Sequence, residues 1–283
     1  MMHFLKKPRV VLLAAAACVM PACFDTVPMG EGAVDTDTDA GTDTDIDVDT
    51  ELQWIPLIGG SFQMGSDAGE DNELPVHSVT VNGFEILKTE VTVAQYAKCV
   101  ESDVCNPLDF WGYCNTGYMD KMQHPQTCVW WYDAEKFCDW VGGRLPSEAE
   151  WEWAARSAGQ NILYPWGDEV ATCDYVVMLD EGYGCGMDDS WPVCSKPIGN
   201  TAQGLCDMSG NAKEWVRDWY HDNYTGAPTD GNAWEEPIGS ERVTRGGSIA
   251  SEPYDLRATS RTSGVPVYTY INIGFRCAKG GEE

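Results

Sequence analysis

The sequence predicts a body of mixed helix and strand whose larger part is irregular and held by cross-links. Three observations lead there. Two short strand-like runs and three capped or periodic helix segments lie before Ala158. Beyond Ala158 the pattern dissolves into Gly, Asp, Cys and aromatic residues for over a hundred positions, too long for a structureless loop in a compact domain unless disulfides or metal organise it. The body carries ten cysteines, an even number in a chain that reads as exported, which makes disulfides the default organiser.

Each element has a local reason. Trp54 to Phe62 and His77 to Phe84 have the composition of short strands. Thr92-x-x-Gln95 is a capping box, opening a helix through Val100. A second helix covers Tyr132 to Val141. The third follows Pro146, where Ser147-x-x-Glu150 caps it and Trp151, Ala154, Ala155 and Ala158 recur on one face, the pattern of a core helix.

The chain has 283 residues, 43% of them hydrophobic, enough for one large domain or two small ones with a sizeable core. Twelve Trp, 12 Tyr and 29 Gly describe a loop-rich fold with aromatic packing. A formal charge of -27 repels phosphate backbones and anionic lipid, which excludes nucleic acid as a partner.

Residues 1–23 read as an export leader: Lys6, Lys7 and Arg9 precede an apolar run from Val10 to Met20 too short to span a bilayer. It ends at two cysteines preceded by small residues, Cys18 and Cys23, and resembles the lipid-acceptor box of bacterial lipoproteins. Cys23, which leaves the longer apolar run, is the expected lipid site; an ordinary secretory cleavage is the alternative. Either places the protein outside the cytoplasm, in the cell envelope at the periplasmic or outer surface, with membrane contact only through a lipid anchor.

Residues 24–52 form an acidic Thr/Asp-rich tether, with ten acids from Asp25 to Glu51 and no Lys or Arg, kept extended by like-charge repulsion. Its Asp-x-Asp repeats lack the Gly turn and terminal Glu of a calcium loop. The body itself, residues 53–280, is also acidic. Zinc is not expected: there is no Cys-x-x-Cys, and His77, His124 and His221 are scattered without ligand spacing.

Six motifs then occur in order: Gly59-Gly60-Ser61-Phe62-Gln63-Met64-Gly65-Ser66, the run Gly143 to Glu152, Tyr164-Pro165-Trp166-Gly167, Gly210-Asn211-Ala212-Lys213-Glu214-Trp215-Val216, Arg245-Gly246-Gly247-Ser248 and Asn272-Ile273-Gly274-Phe275-Arg276-Cys277. Together they resemble the formylglycine-generating enzyme, or sulfatase-modifying factor, family. The resemblance implies a single disulfide-rich α+β domain with little regular secondary structure, related to the C-type lectin fold. In such a fold Arg144, Glu150, Arg245 and Arg276 are read as scaffold. It also implies a Cys138–Cys277 disulfide, while proximity alone suggests Cys99–Cys105, Cys114–Cys128, Cys173–Cys185 and Cys194–Cys206.

Asp207 to Glu214 places hard oxygen donors at alternating positions, as calcium requires. The resemblance implies calcium held by side-chain oxygens of Asp207 and Glu214 and main-chain oxygens of Met208, Gly210 and Ala212; the alternative is a capped turn leading into Trp215 to Tyr220. A second family calcium site would fall near Asp174, Tyr175, Asp188 and Asp189, where the spacing departs and cysteines are inserted.

The family's enzymes oxidise a substrate cysteine with two cysteines a few residues after Arg-Gly-Gly-Ser, which hold copper(I), a soft ion that prefers thiolate. Here Ser248 to Arg257 contains none. The Ser251 oxygen is hard and not redox active, so no catalytic residue is assigned and copper is not expected. The function expected is a non-catalytic ligand-binding module, with Ser251, Tyr254, Asp255, Tyr268, Tyr270 and Asn272 displayed to an extracytoplasmic peptide, protein or glycan, similar to the variable ligand-binding proteins of diversity-generating retroelements. Plain packing is the alternative role for the tyrosines. The rival function is a divergent oxidoreductase modifying a cysteine of a protein substrate.

Overall fold

The computed structural model describes residues 51–108 and 114–281; the leader, both candidate lipid sites and the acidic tether up to residue 50 lie outside the described residues. The first apolar run is two strands, β1 (Trp54–Leu57) and β2 (Gly60–Met64). It breaks at Gly59, where a Cβ would lie 2.4 Å from the Val81 carbonyl oxygen, so only glycine lets the chain cross there. The second run is also divided, into β3 (His77–Val81) and β4 (Phe84–Leu87). β2 pairs with β3, while β1 and β4 pair with each other instead of extending that ladder.

Helix α1 (Val93–Glu101) carries the Thr92–Gln95 capping box, with Gln95 N–H donating to Thr92 Oγ1 and Thr92 N–H to Gln95 Oε1. α2 spans Trp131–Trp140 and α3 spans Glu148–Ala155, capped reciprocally by Ser147 and Glu150. Ala158, expected on the α3 face, lies beyond the helix in a left-handed turn.

The chain after Ala158 is less uniform than its composition suggests. Residues 159–212 have no strand among the described residues, but five strands follow: β5 (Lys213–Trp219), β6 (Arg242–Arg245), β7 (Arg261–Gly264), β8 (Ile273–Phe275) and β9 (Ala278–Gly280). They escape a period-two reading because most are short, and β6 and β8 are buried at every position. They form a sheet in the order β7-β6-β5-β8, with β5 and β8 parallel, while β9 joins β1 and β4. The irregular span is pinned by disulfides Cys173–Cys185 and Cys194–Cys206, and Cys99–Cys105, Cys114–Cys128 and Cys138–Cys277 close the set.

α3 is the centre of the molecule, with all eight residues buried, including three glutamates. An unpaired carboxylate there would carry a prohibitive desolvation penalty. Each has an arginine instead. Glu148 takes both arms of Arg261 at 2.7 and 2.8 Å, Glu150 both nitrogens of Arg144 at 2.7 Å, and Glu152 both Arg245 at 2.5 Å and Arg156 at 3.0 Å. Burial alone would raise the Glu148 carboxyl, yet Arg261 and Arg245 hold it below the usual carboxylate range. Arg144, Glu150 and Arg245 are thus parts of the frame.

Two outcomes follow. Arg261→Ala takes the two-point partner from Glu148, leaving only Arg245 Nε at 3.7 Å and the Tyr224 hydroxyl at 3.1 Å, and should lower unfolding free energy by about 3 kcal/mol, read by chemical denaturation; a loss under 1 kcal/mol would show the pair to be dispensable. The Cys138–Cys277 bond joins residues 139 apart. Replacing both by serine should destabilise by about 5 kcal/mol through the chain entropy of so long a loop, against a much smaller effect for the six-residue Cys99–Cys105 loop.

Candidate functional site

Two loops meet at one end of the four-stranded sheet: residues 207–214, which lead into β5, and residues 246–257, which leave β6. They are stitched together. Gly210 N–H donates to the Gly246 carbonyl at 2.8 Å, Ile249 N–H to the Asn211 carbonyl at 3.1 Å, and Ser209 Oγ to the Leu256 carbonyl at 2.7 Å. Gly210 sits at φ 76°, and a Cβ there would strike the Val177 carbonyl oxygen at 2.4 Å, so this turn needs glycine.

The first loop is closed at its base by Arg276. All five of its N–H groups are used: two on Glu214 at 2.8 and 2.7 Å, and the rest on the carbonyls of Leu87, Lys88 and Cys206. Burial opposes the Arg276 charge, but Glu214, Glu90 and Asp207 override it and raise its pKa. Glu214 also accepts from the Trp151 indole at 2.8 Å, so its oxygens are bound before any ion arrives.

Asp207 and Glu90 are placed differently. Asp207, in a left-handed turn at φ 54°, accepts from Cys194 N–H at 2.6 Å. Glu90 is fully buried; one carboxylate oxygen accepts from Asn211 Nδ2 at 3.1 Å and Oε2 has no partner. Burial, and then the Asp207 charge, push the Glu90 carboxyl well above the carboxylate range, and burial raises Asp207 as well. Glu90, Asp207 and Glu214 therefore share one guanidinium. That excess of buried acid, with an orphaned oxygen within it, makes the Asp207 end of the loop the candidate position for a hard cation. Among the described residues no three Asp, Glu, His or Cys side chains form a ready metal cage, so most donors there would be carbonyls. Glu90 is a member of this cluster that the sequence reading missed; it lies over a hundred residues from the loop.

At the second calcium position the acids are dispersed. Asp189 is neutralised by Lys121 at 2.7 Å, Asp174 and Asp188 are exposed, and Tyr175 stacks on Trp166.

The second loop supplies the residues expected to bind a ligand, and the structure does not bring them to one surface. Ser251 is 5% exposed, its hydroxyl accepting from Ser248 N–H at 3.1 Å. Tyr254 lies under the Arg257 guanidinium at 4.0 Å, beside exposed Asp255. Tyr270 packs edge-on against Trp215, and its hydroxyl accepts from Val265 N–H, which is a packing role. Tyr268, 61% exposed, lines a cavity of about 520 Å³ with Trp130, Asp133 and Asn106. Asn272 lines a different one of about 350 Å³, roofed by the Cys173–Cys185 lobe, which reaches the second loop through Leu179 N–H to the Ser251 carbonyl and Gly184 N–H to the Ile249 carbonyl, each 3.0 Å. Every cysteine among the described residues is in a disulfide, and none lies in residues 246–272. The serine hydroxyls at the loop do not fit copper(I), which prefers sulfur.

Comparison with known proteins agrees with the motifs. The profile of the sulfatase-modifying factor enzyme 1-like domain matches residues 42–280. The chain is 34% identical over 246 residues to the serine/threonine-protein kinase Pkn1 of Chlamydia trachomatis, covering 81% of this chain but only 38% of that protein. With the formylglycine-generating enzyme of Streptomyces coelicolor it shares 29% over 287 residues, 81% of this chain and 89% of the enzyme. The structure of PvdO from Pseudomonas aeruginosa superposes with a TM-score of 0.70 at 29% identity, covering 81% of this chain and 94% of PvdO. With its motifs, disulfide-rich α+β architecture and matched span in agreement, the chain belongs to the sulfatase-modifying factor enzyme 1-like family.

Proposed function

We propose that this is an exported envelope protein, lipid-anchored through Cys23, whose domain is a non-catalytic module that binds an extracytoplasmic peptide, protein or glycan. The observation that carries the reading is the fate of its sulfur. The loop after Arg245-Gly246-Gly247-Ser248 has no cysteine, and each described cysteine is spent on a cross-link. Copper(I) that activates oxygen for the oxidation of a substrate thiol is held by thiolate, and neither Ser248 nor Ser251 supplies one. What the domain retains is a rigid, cross-linked frame around an acidic rim.

The rival reading, a divergent oxidoreductase acting on a protein cysteine, draws support from likeness to the Streptomyces coelicolor enzyme over most of that enzyme's length. One assay separates the two. The purified full chain, given copper, oxygen and a peptide carrying the sulfatase cysteine motif, should leave the cysteine unchanged by mass spectrometry; aldehyde formation would replace the binding reading with the enzymatic one.

Calcium is the proposed resident ion. Asp207 and the main-chain oxygens of Met208, Gly210 and Ala212 would hold it, with Glu214 held by Arg276 as the inner wall of the site. Its chemistry there is neutralisation of buried acid, not catalysis. Chelation should lower the melting temperature by about 5–10 °C, the shift expected when an ion at about a hundred times its Kd is withdrawn from a domain of this size. An unchanged melt in chelator would remove calcium from the account.

A further inference from the structure

The cavity that Asn272 lines has one-sided chemistry. Ile249, Ile271 and Tyr183 supply apolar wall, and no Lys, Arg or His lines it. Its polar groups divide into those already used and those left over. Asn115 donates to the Pro125 carbonyl and to Ser190 Oγ, Asp189 is paired with Lys121, and Asn211 is committed to Glu90 and Trp191. Three groups remain. Thr127 is 1% exposed, and its Oγ1 is buried without a hydrogen-bond partner. Asp188 has neither a salt bridge nor a side-chain hydrogen bond among the described residues, and is held at the mouth in a left-handed turn at φ 56°. Asn272 gives its Nδ2 to Ser248 Oγ at 3.0 Å, which leaves Oδ1 as the free end of the amide.

All three can accept hydrogen bonds, one is anionic, and the walls between them are apolar. A group with a positive charge, N–H donors and a short hydrocarbon stem complements Asp188 and the apolar walls together, whereas a carboxylate or phosphate is repelled by Asp188, the one unpaired charge among the lining residues. The volume, about 350 Å³, is at the small end of ligand cavities and suits a single side chain more than a folded partner.

We propose that this cavity is an alkylammonium site, taking a lysine side chain of a bound peptide or the amine of a small free ligand. It rests on the binding-module reading and names the group that module recognises. Asp188 pairs the charge, Asn272 Oδ1 accepts from a remaining N–H group, and Ile249 and Ile271 cover the stem.

The test is titration of the calcium-loaded full chain, followed by NMR or calorimetry, with Nα-acetyl-lysine amide, cadaverine and Nα-acetyl-norleucine amide, which keeps the stem but lacks the charge. The lysine amide should bind saturably and at least about tenfold more tightly than the norleucine amide, the scale of one charge-assisted contact. Asp188→Asn, at an exposed position where folding is not at stake, should lose about tenfold, and Ile249→Trp, which fills the cavity, should lose binding. Asp222→Asn, an exposed acid elsewhere, controls for the general attraction of an acidic protein. Cadaverine binding as tightly as the lysine amide would assign the site to free amines; preference for the lysine amide would assign it to peptides. Equal affinity for the lysine and norleucine amides, or equal effects of Asp188→Asn and Asp222→Asn, would overturn the ammonium site. Glycan or peptide binding that survives Asp188→Asn would sink this proposal and leave the module reading intact, whereas aldehyde formation in the copper assay would sink the module reading alone.

Discussion

The architecture depends on burying carboxylates that are each met by a guanidinium. A helix as enclosed as α3 would normally be apolar all round; this one carries Glu148, Glu150 and Glu152 into the core and binds Arg261, Arg144, Arg245 and Arg156 there. Those arginines come from β6, β7 and the turns flanking the helix, so the pairs fasten the four-stranded sheet to the helix with directional, two-point contacts. Glu73 with Arg257 and Glu214 with Arg276 repeat the device at the two loops. Removing one partner is far more damaging than never having had the pair, because the survivor stays buried.

This device explains how a domain with so little regular structure keeps one shape. Residues 159–212 have few ladder hydrogen bonds to lean on, and two short-range disulfides, Cys173–Cys185 and Cys194–Cys206, limit their freedom instead. The long-range Cys138–Cys277 bond ties α2 to the residue after Arg276, joining the cross-linked and ion-paired parts of the frame. Rigidity of this kind suits recognition, because a loop held from both sides loses little further entropy when it meets a ligand.

The same chemistry sets what the site can do. The loop after Arg245 carries serine hydroxyls engaged with backbone N–H groups and with Asn272. What gathers around them is acceptor oxygen: Asp188, Thr127 and the Glu90–Asp207 pair. Such surroundings favour cations, both the metal ion proposed at the first loop and the ammonium group proposed for the cavity beside it.

Local signals were legible wherever a few adjacent residues settle the matter. The Thr92 and Ser147 capping boxes and the family motifs depend on neighbours close in the chain, whereas the break of the first strand run at Gly59 came from contact with the Val81 carbonyl. The sequence also showed that Ser248 to Arg257 lacks cysteine, since that is a matter of residue identity alone. It could not reveal that α3 is buried on every side, because Arg245 and Arg261, which meet Glu152 and Glu148, come from strands about a hundred residues further along the chain. Nor could it place β6 to β9, strands of three or four residues that are too short to show the alternation that marks a strand. The expected ligand residues were grouped because they are close in the chain; folding turned Tyr270 into the core, put Tyr268 and Asn272 in separate cavities, and brought Glu90 and Thr127 beside loops more than a hundred residues away. Proximity along the chain determines caps and turns, whereas a binding surface is made by long-range contacts, and those exist only once the buried charges have found their partners.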